Sequence, residues 1–286
     1  MRFKTVVLLP ILLVQLTALG QNIQNKEARD AAIQQLAQKG IKLDEESFIR
    51  AVIGNDVPVV TMFLAAGMNP NAQDKDGATA LVHAIEEGHR KIALSLIASG
   101  ADVNQKVASN APLRVAAACG DIETAGALLA KGAEVDSLDK GGHTPMLVAM
   151  FGTGLRSVPD AFVAQFISDE TDKPCLDKND GYERTVRLLI DKGANVNIRA
   201  SDGGETPLYV AAIFGNVEFV KLLLSKRVNV NSKAWQDRSV MRWMQALRTL
   251  PSDPEIKDDQ VMMDWLSATR SRHAEIVNLL KHAGAR

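Results

Sequence analysis

The chain is poor in aromatic residues, which make up only 5% of its 286 residues. It has only two cysteines, which excludes a small fold held together by several disulfides. Lysine and arginine number 33 against 34 acidic residues, so the strongly basic balance that is typical of a nucleic-acid-binding domain is absent. The chain is nevertheless 46% hydrophobic, so it has the composition of a globular protein whose core is packed mainly from alanine, leucine and valine.

Residues 1–20 have the pattern of a secretory signal peptide. A cationic start with Arg2 and Lys4 precedes an apolar run from Val6 to Leu19, which ends among small residues. A retained membrane anchor is the alternative, but crossing the hydrocarbon takes about 20 apolar residues and Gln15 interrupts this run. We therefore expect export to the periplasm, with secretion as the alternative, and no membrane insertion after cleavage.

One string of residues recurs along the chain. It reads Leu-Ile-Ala-Ser-Gly-Ala-Asp-Val-Asn at residues 96–104, and its glycine recurs at positions 67, 132, 193 and 284. Arg227 occupies the glycine position in one further copy. Most neighbouring copies are about 33 residues apart, and the two longer gaps predict insertions at residues 152–180 and 232–260.

A second phrase keeps the same phase, and Thr206-Pro207-Leu208 is its clearest form. Threonine can cap a helix and proline fits the first helical turn, so the phrase predicts the start of a short helix. A second helix with a 3.6-residue apolar period follows in each copy, and glycine ends it. Such a unit cannot bury its apolar faces alone, and stacking with its neighbours joins them into one core.

The two phrases at this period resemble the ankyrin repeat. The resemblance covers about residues 43–286 and implies a mainly α ankyrin-repeat solenoid of about six units, including caps. Each unit is a helix-turn-helix followed by a β-turn. We place an N-terminal capping helix at residues 21–42 and the repeats at about 43–75, 76–107, 108–138, 139–198, 199–231 and 232–286. The insertion at 152–180 falls in the fourth repeat and that at 232–260 in the sixth.

Residues that carry catalysis or bind a metal form no recognisable motif. No two of the five histidines have the i, i+4 spacing, with a carboxylate beside them, that a metallohydrolase helix requires, and no set of cysteines and histidines has the spacing of a zinc site. Nucleotide-binding and nucleophile fingerprints are also missing. We therefore expect no enzyme activity, no catalytic residues, no cofactor and no metal. An enzyme or ligand carrier that uses the two insertions is the alternative.

The resemblance implies a surface for an unidentified partner protein at the turn tips and on the exposed side of the first helices. Ile213 and Phe214 are apolar at such positions and are the predicted contact hot spot; in the alternative, the C-terminal insertion covers them. We expect a monomeric scaffold that binds no nucleic acid, with a secreted effector that binds a host protein as the alternative. The positions that match are Gln73, Lys75, Asp76, Glu86, Glu87, Leu138, Lys140, His143, Arg199, Asp202, Glu205, Ile213 and Phe214.

The two cysteines and the three tryptophans lie outside the repeat pattern. Cys119 ends the first helix of the third repeat and Cys175 lies in the insertion of the next, so we hypothesise a disulfide between them, with two free thiols as the alternative. Trp235, Trp243 and Trp265 lie in or beside the last insertion. We expect them to form a hydrophobic lid over the final repeat, with a ligand-binding cluster as the alternative.

Overall fold

The computed structural model describes residues 25–155, 181–201, 204–234, 239–247 and 260–286. The predicted signal peptide, Cys175, Asp202 and Trp235 lie outside these residues. The described helices are α1 (residues 25–38), α2 (Glu45–Ile53), α3 (Val57–Ala65), α4 (Ala80–Glu86), α5 (Arg90–Ala98), α6 (Pro112–Ala118), α7 (Ile122–Ala130), α8 (Pro145–Leu155), α9 (Gly181–Asp191), α10 (Pro207–Ile213), α11 (Val217–Ser225), α12 (Val240–Leu247) and α13 (Gln260–His282).

The predicted mainly α repeat architecture is confirmed. In the part of the chain that the structure describes, extended pairing is limited to isolated bridges in the turns, such as Gln73 with Thr79. The helices belong to two compact units. The first contains the described residues up to Ala84 together with Lys91–Ala101, and the second contains Ile85–Arg90 and Asp102–Arg286.

The first unit begins with α1, which lies where the sequence predicts a capping helix. Arg29 on α1 donates a hydrogen bond from Nε to the carbonyl of Ala66 at the end of α3, at 3.0 Å. The core of the α2–α3 pair includes the rings of Phe48 and Phe63, whose centroids are 5.4 Å apart and whose exposed fractions are both zero. Asp44 caps α2 by accepting from the amide of Ser47.

The second unit packs helices in successive pairs, α6 with α7, α8 with α9, α10 with α11 and α12 with α13. The threonine-proline phrase acts as the sequence predicts: Thr206 Oγ1 accepts from the amide of Tyr209 and Pro207 occupies the first turn of α10. Small residues let neighbouring helices approach closely. A Cβ added to Gly152 of α8 would fall 2.4 Å from ring atoms of the buried Tyr182 on α9.

The structure describes only parts of the two predicted insertions, at residues 152–155, 232–234, 239–247 and 260. Helix α8 continues to Leu155, so the first residues of the segment at 152–180 are helical, and residues 156–180 lie outside the described part. The described part of the segment at 232–260 begins like the turn of a repeat. Lys233 pairs with Ser239 as Gln73 pairs with Thr79, and α12 follows, so residues 232–234 and 239–247 have the pattern of a repeat's turn and first helix.

The longest described helix, α13, has 23 residues and ends the chain's last repeat. Charged residues occur along it, including Asp264, Arg270, Glu275 and Lys281. None of the helices in the described ranges is both long enough and apolar enough to cross a bilayer.

Candidate functional site: the turn-tip ridge

Three consecutive turns of the second unit join into a ridge. In the first turn, Lys106 donates a hydrogen bond from Nζ to the carbonyl of Leu138 in the second, at 3.1 Å. The amide of Ser201 in the third turn donates to the carbonyl of Gly141 in the second, at 2.8 Å. We call residues 105–110, 137–143, 199–201 and 204–205 the turn-tip ridge.

Gly142 allows the second and third turns to lie this close. Its φ is +77°, in the left-handed region that favours glycine. A Cβ at this position would fall 2.6 Å from the backbone nitrogen of Ser201, which is closer than real Cβ contacts. The ridge therefore requires glycine here both for its backbone conformation and for space.

The exposed side of the ridge is cationic and carries one large apolar side chain. Lys106, Lys140 and Arg199 are exposed. Leu138 is 45% exposed, which is unusual among the large hydrophobic residues that the structure describes. An exposed leucine on a fixed backbone, close in sequence to cations, has the character of a protein contact site.

A buried ion pair supports the ridge from below. Arg114, on α6, has its Nε 2.9 Å from Oδ2 of Asp139 in the second turn, and the two side chains are only 6% and 9% exposed. Burial opposes ionisation of Asp139, but hydrogen bonds from His143 and the charge of Arg114 outweigh it and hold the pKa of this carboxyl well below its ordinary value. The ionised form of Asp139 is therefore strongly favoured in this turn.

His143 closes the second turn on the same carboxylate. Its amide donates to Asp139 Oδ1 at 2.8 Å, and its Nδ1 lies 3.3 Å from Oδ2. The hydrogen bond to Asp139 raises the pKa of His143, against burial, and the negative charges of Asp139 and Glu205 act in the same direction. His143, a predicted partner-binding residue, is thus partly buried, and its bonds to Asp139 stabilise the turn.

Glu205 lies at the inner edge of the ridge. Its Oε2 atom is buried and accepts no hydrogen bond within the described ranges, and the same holds for the hydroxyl of Tyr209. Burial and the charge of Glu205 raise the pKa of Tyr209, so its hydroxyl stays protonated. Only half-exposed, Glu205 offers less contact surface than the sequence predicts.

The remaining predicted positions fall elsewhere. Gln73, Lys75 and Asp76 are exposed on a turn of the first unit, where Gln73 Nε2 donates to the carbonyl of Gly77 at 3.1 Å. Glu86 and Glu87 are exposed at the end of α4 and belong to the second unit. Asp202 lies outside the described residues.

The predicted exposure of Ile213 and Phe214 is wrong. They are 7% and 3% exposed, so neither offers a contact surface. The ring of Phe214 packs edge-on against Phe151 of α8, with centroids 6.2 Å apart. His273 of α13 covers the end of α10, where its Nε2 lies 3.0 Å from the carbonyl of Ile213. Both side chains are therefore buried, as the alternative held, but Phe151 and His273 lie outside the insertion at 232–260 to which the alternative assigned the cover.

Two of the three C-terminal tryptophans, Trp243 and Trp265, pack over the last repeats. Trp243 of α12 lies edge-on to Tyr209 of α10 with centroids 5.9 Å apart. Trp265 of α13 is 5% exposed and lies at the same distance from the ring of His273. These contacts agree with the lid interpretation for both residues. Trp235 is outside the described part of the chain.

The structure describes one of the two cysteines of the predicted disulfide. Cys119 is 8% exposed and disulfide-bonded. Cys175, the partner that the sequence suggests, lies outside the described residues, so the pairing itself stays a prediction.

Among the described residues no group of histidine, cysteine, aspartate and glutamate side chains could hold a metal ion.

Sequence reasoning found Leu138, Lys140, His143 and Arg199 through their repeat positions, but it missed Lys106 and the Arg114–Asp139 pair. An arginine at the position where other copies have Val82, Leu147 or Tyr209 was the available signal for the pair.

Two family models match the chain. One, described as ankyrin repeats (3 copies), matches residues 21–107, and the other, described as ankyrin repeats (many copies), matches residues 178–224. Together they cover a little under half of the chain.

Several curated relatives carry the same repeats. An ankyrin repeat-containing protein of Treponema pallidum is 33% identical over 40% of this chain and 39% of its own length. An ankyrin repeat and KH domain-containing protein of Caenorhabditis elegans, mask-1, is 30% identical over 52% of this chain and 5% of its own. The E3 ubiquitin-protein ligase KEG of Arabidopsis thaliana is 28% identical over 59% and 10% respectively. The alignments thus span well under half of each of these relatives.

Proposed function

Because the chain belongs to the ankyrin repeat family, whose repeats are protein interaction scaffolds, we propose that it is a non-catalytic scaffold in the periplasm that binds a partner protein on its turn-tip ridge. The observation that carries the proposal is Leu138, which is 45% exposed on a turn whose backbone is fixed on both sides. A rigid, exposed apolar side chain loses little conformational freedom on binding and removes apolar surface from water.

The charges of the ridge define the chemistry of the partner. Lys106, Lys140 and Arg199 are exposed, whereas Asp139 is buried against Arg114. A partner surface with acidic residues around an apolar pocket for Leu138 fits this arrangement, because opposite charges guide the encounter and the apolar contact holds the complex.

Export rests on a separate observation. The cationic start and the apolar run within residues 1–20 have the composition of a signal peptide, and the proposal places cleavage after residue 20. An oxidising compartment also fits the disulfide-bonded state of Cys119.

Site-specific photo-crosslinking tests the ridge. A photoreactive amino acid replaces Leu138 in one variant and Leu43, which is 43% exposed in the first unit, in a matched control. Crosslinking in the cells that express the protein should join the partner to position 138 and not to position 43. A partner that crosslinks equally well at both positions would overturn the proposed surface.

Fractionation of the same cells tests export. The protein should appear in the periplasmic fraction, with a mass that lacks residues 1–20 and with no alkylatable thiol. An intact N-terminus in the cytoplasmic fraction would contradict the proposed location while leaving the ridge proposal to its own test.

A further inference from the structure

The last helix pair of the second unit encloses a cleft that the turn-tip ridge does not use. It has a volume of about 500 Å³ and lies between α12 and α13. Its lining is Met244, Leu247, Leu266, Arg270, His273, Ala274, Val277, Asn278 and Lys281.

The cleft follows one face of a helix. Its lining residues on α13 recur at the helical spacing of three and four residues, from Leu266 to Lys281. At a rise of 1.5 Å per residue this face is about 22 Å long. In a repeat array, the corresponding face of an inner helix pair is covered by the next pair. A ligand that matches this length and shape is a helix of about four turns, rather than a compact small molecule.

This face carries positive charge at Lys281, its last residue, and at Arg270, one turn from its first. Arg270 and Lys281 are exposed and line the cleft, whereas its floor is formed by apolar side chains that include Met244 and Leu266. No carboxylate is among the lining residues in the part of the chain that the structure describes. The carboxylates described on α13 lie elsewhere, since Asp264 accepts a hydrogen bond from Gln260 and Glu275 pairs with Lys221 of α11 at 3.1 Å.

We propose that the cleft between α12 and α13 binds an amphipathic helix of a partner protein, with an apolar stripe on the floor and acidic residues opposite Arg270 and Lys281. The charges described at the rim, Arg270 and Lys281, are cationic, and their charge complementarity selects an acidic helix over a basic one. This second contact rests on the proposed function, because it assumes a protein partner, but it uses a surface different from the ridge.

A synthetic peptide of about 16 residues, with leucines at helical spacing and glutamates elsewhere, is the probe. Its fluorescence anisotropy is measured with the full chain, and a second peptide carries lysine in place of each glutamate. The acidic peptide should bind at least tenfold more tightly than the basic one, and rising salt should weaken it.

Charge reversal locates the site. The Arg270→Glu/Lys281→Glu variant should bind the acidic peptide at least tenfold more weakly than the unchanged protein. Arg242→Glu/Arg272→Glu reverses two exposed charges that do not line the cleft and should stay within twofold of the unchanged protein. Circular dichroism confirms that both variants fold. Val277→Asp tests the apolar floor of the cleft independently of its charged rim.

The outcomes separate this inference from the ridge. If the acidic peptide fails to bind, binds no better than the basic one, or is unaffected by Arg270→Glu/Lys281→Glu, the cleft proposal is wrong. Crosslinking at position 138 would still report on the ridge. Loss of that crosslink with retained peptide binding would contradict the ridge and leave the cleft standing.

Discussion

Nε of Arg114 lies 2.9 Å from Oδ2 of Asp139, and both side chains are more than nine-tenths buried. The pair joins helix α6 to the turn of the following repeat. Because Asp139 also accepts hydrogen bonds from the amide and ring of His143, one carboxylate holds the shape of the turn that presents Leu138 and Lys140. The proposed recognition surface therefore depends on residues that also stabilise the fold.

Replacing Arg114 with methionine should destabilise the protein strongly. Methionine has a similar length but no charge, so the carboxylate of Asp139 loses its buried cationic partner. This loss costs about 3 kcal/mol in comparable pairs. Urea unfolding measures the loss. The matched control is Arg50→Met, which breaks the exposed pair of Arg50 with Glu46 and should cost under about 0.5 kcal/mol. Equal effects of the two changes would contradict the role given to the buried pair.

The two partly buried histidines should give opposite pH dependences. The pKa of His143 is raised by its hydrogen bond to Asp139, so protonation stabilises the folded state. That contribution is complete below the unfolded-state pKa of about 6.5 and is lost as pH rises through the higher folded-state pKa. The free energy of unfolding should fall more between about pH 6 and pH 8 in the unchanged protein than in His143→Gln. The same slope in both proteins would refute the assignment.

Burial lowers the pKa of His273, although its hydrogen bond to the Ile213 carbonyl opposes the shift. The neutral form is therefore favoured in the folded state. Its stabilisation is present above about pH 6.5 and is lost as pH falls below that value. Replacing His273 with glutamine should reduce the loss of stability between about pH 7 and pH 5. A steeper loss in the variant would show that His273 is charged in the folded protein.

Phe214 should behave as a core residue. Its replacement by alanine removes a ring that packs against Phe151 and should cost about 3 to 5 kcal/mol. The exposed Leu138 provides the comparison, since Leu138→Ala should change stability by less than about 0.5 kcal/mol. Thermal unfolding of both variants measures the difference. Similar melting temperatures of the two variants would contradict the burial of Phe214 and favour the exposed position that the sequence suggested.

The spacing of the repeats and the residue types at the helix ends were enough to predict much of the fold. Thr206 and Pro207 begin α10 because capping and the first turn depend on neighbouring residues. The burial of Phe214 could not be predicted in this way, because it depends on Phe151, which is 63 positions earlier in the chain, and on the packing of α13. The same holds for Arg114, whose partner lies in the next repeat.

The candidate site was predicted in part. The turn positions of Lys140 and Arg199 follow from the repeat, but the junction of three turns depends on contacts such as that of Lys106 with the Leu138 carbonyl. Which apolar residue faces solvent is a consequence of packing between repeats. The proposed contact residue is therefore Leu138, which is exposed, in place of the buried Phe214.

The most direct test of the central claim compares partner binding by two aspartate variants. Leu138→Asp and Leu43→Asp each place a carboxylate at a leucine that is similarly exposed, at 45% and 43%. Binding to the partner identified by crosslinking is measured by titration calorimetry. Leu138→Asp should weaken binding at least tenfold and Leu43→Asp less than twofold; unchanged affinity of Leu138→Asp would contradict the proposal that the turn-tip ridge holds the partner.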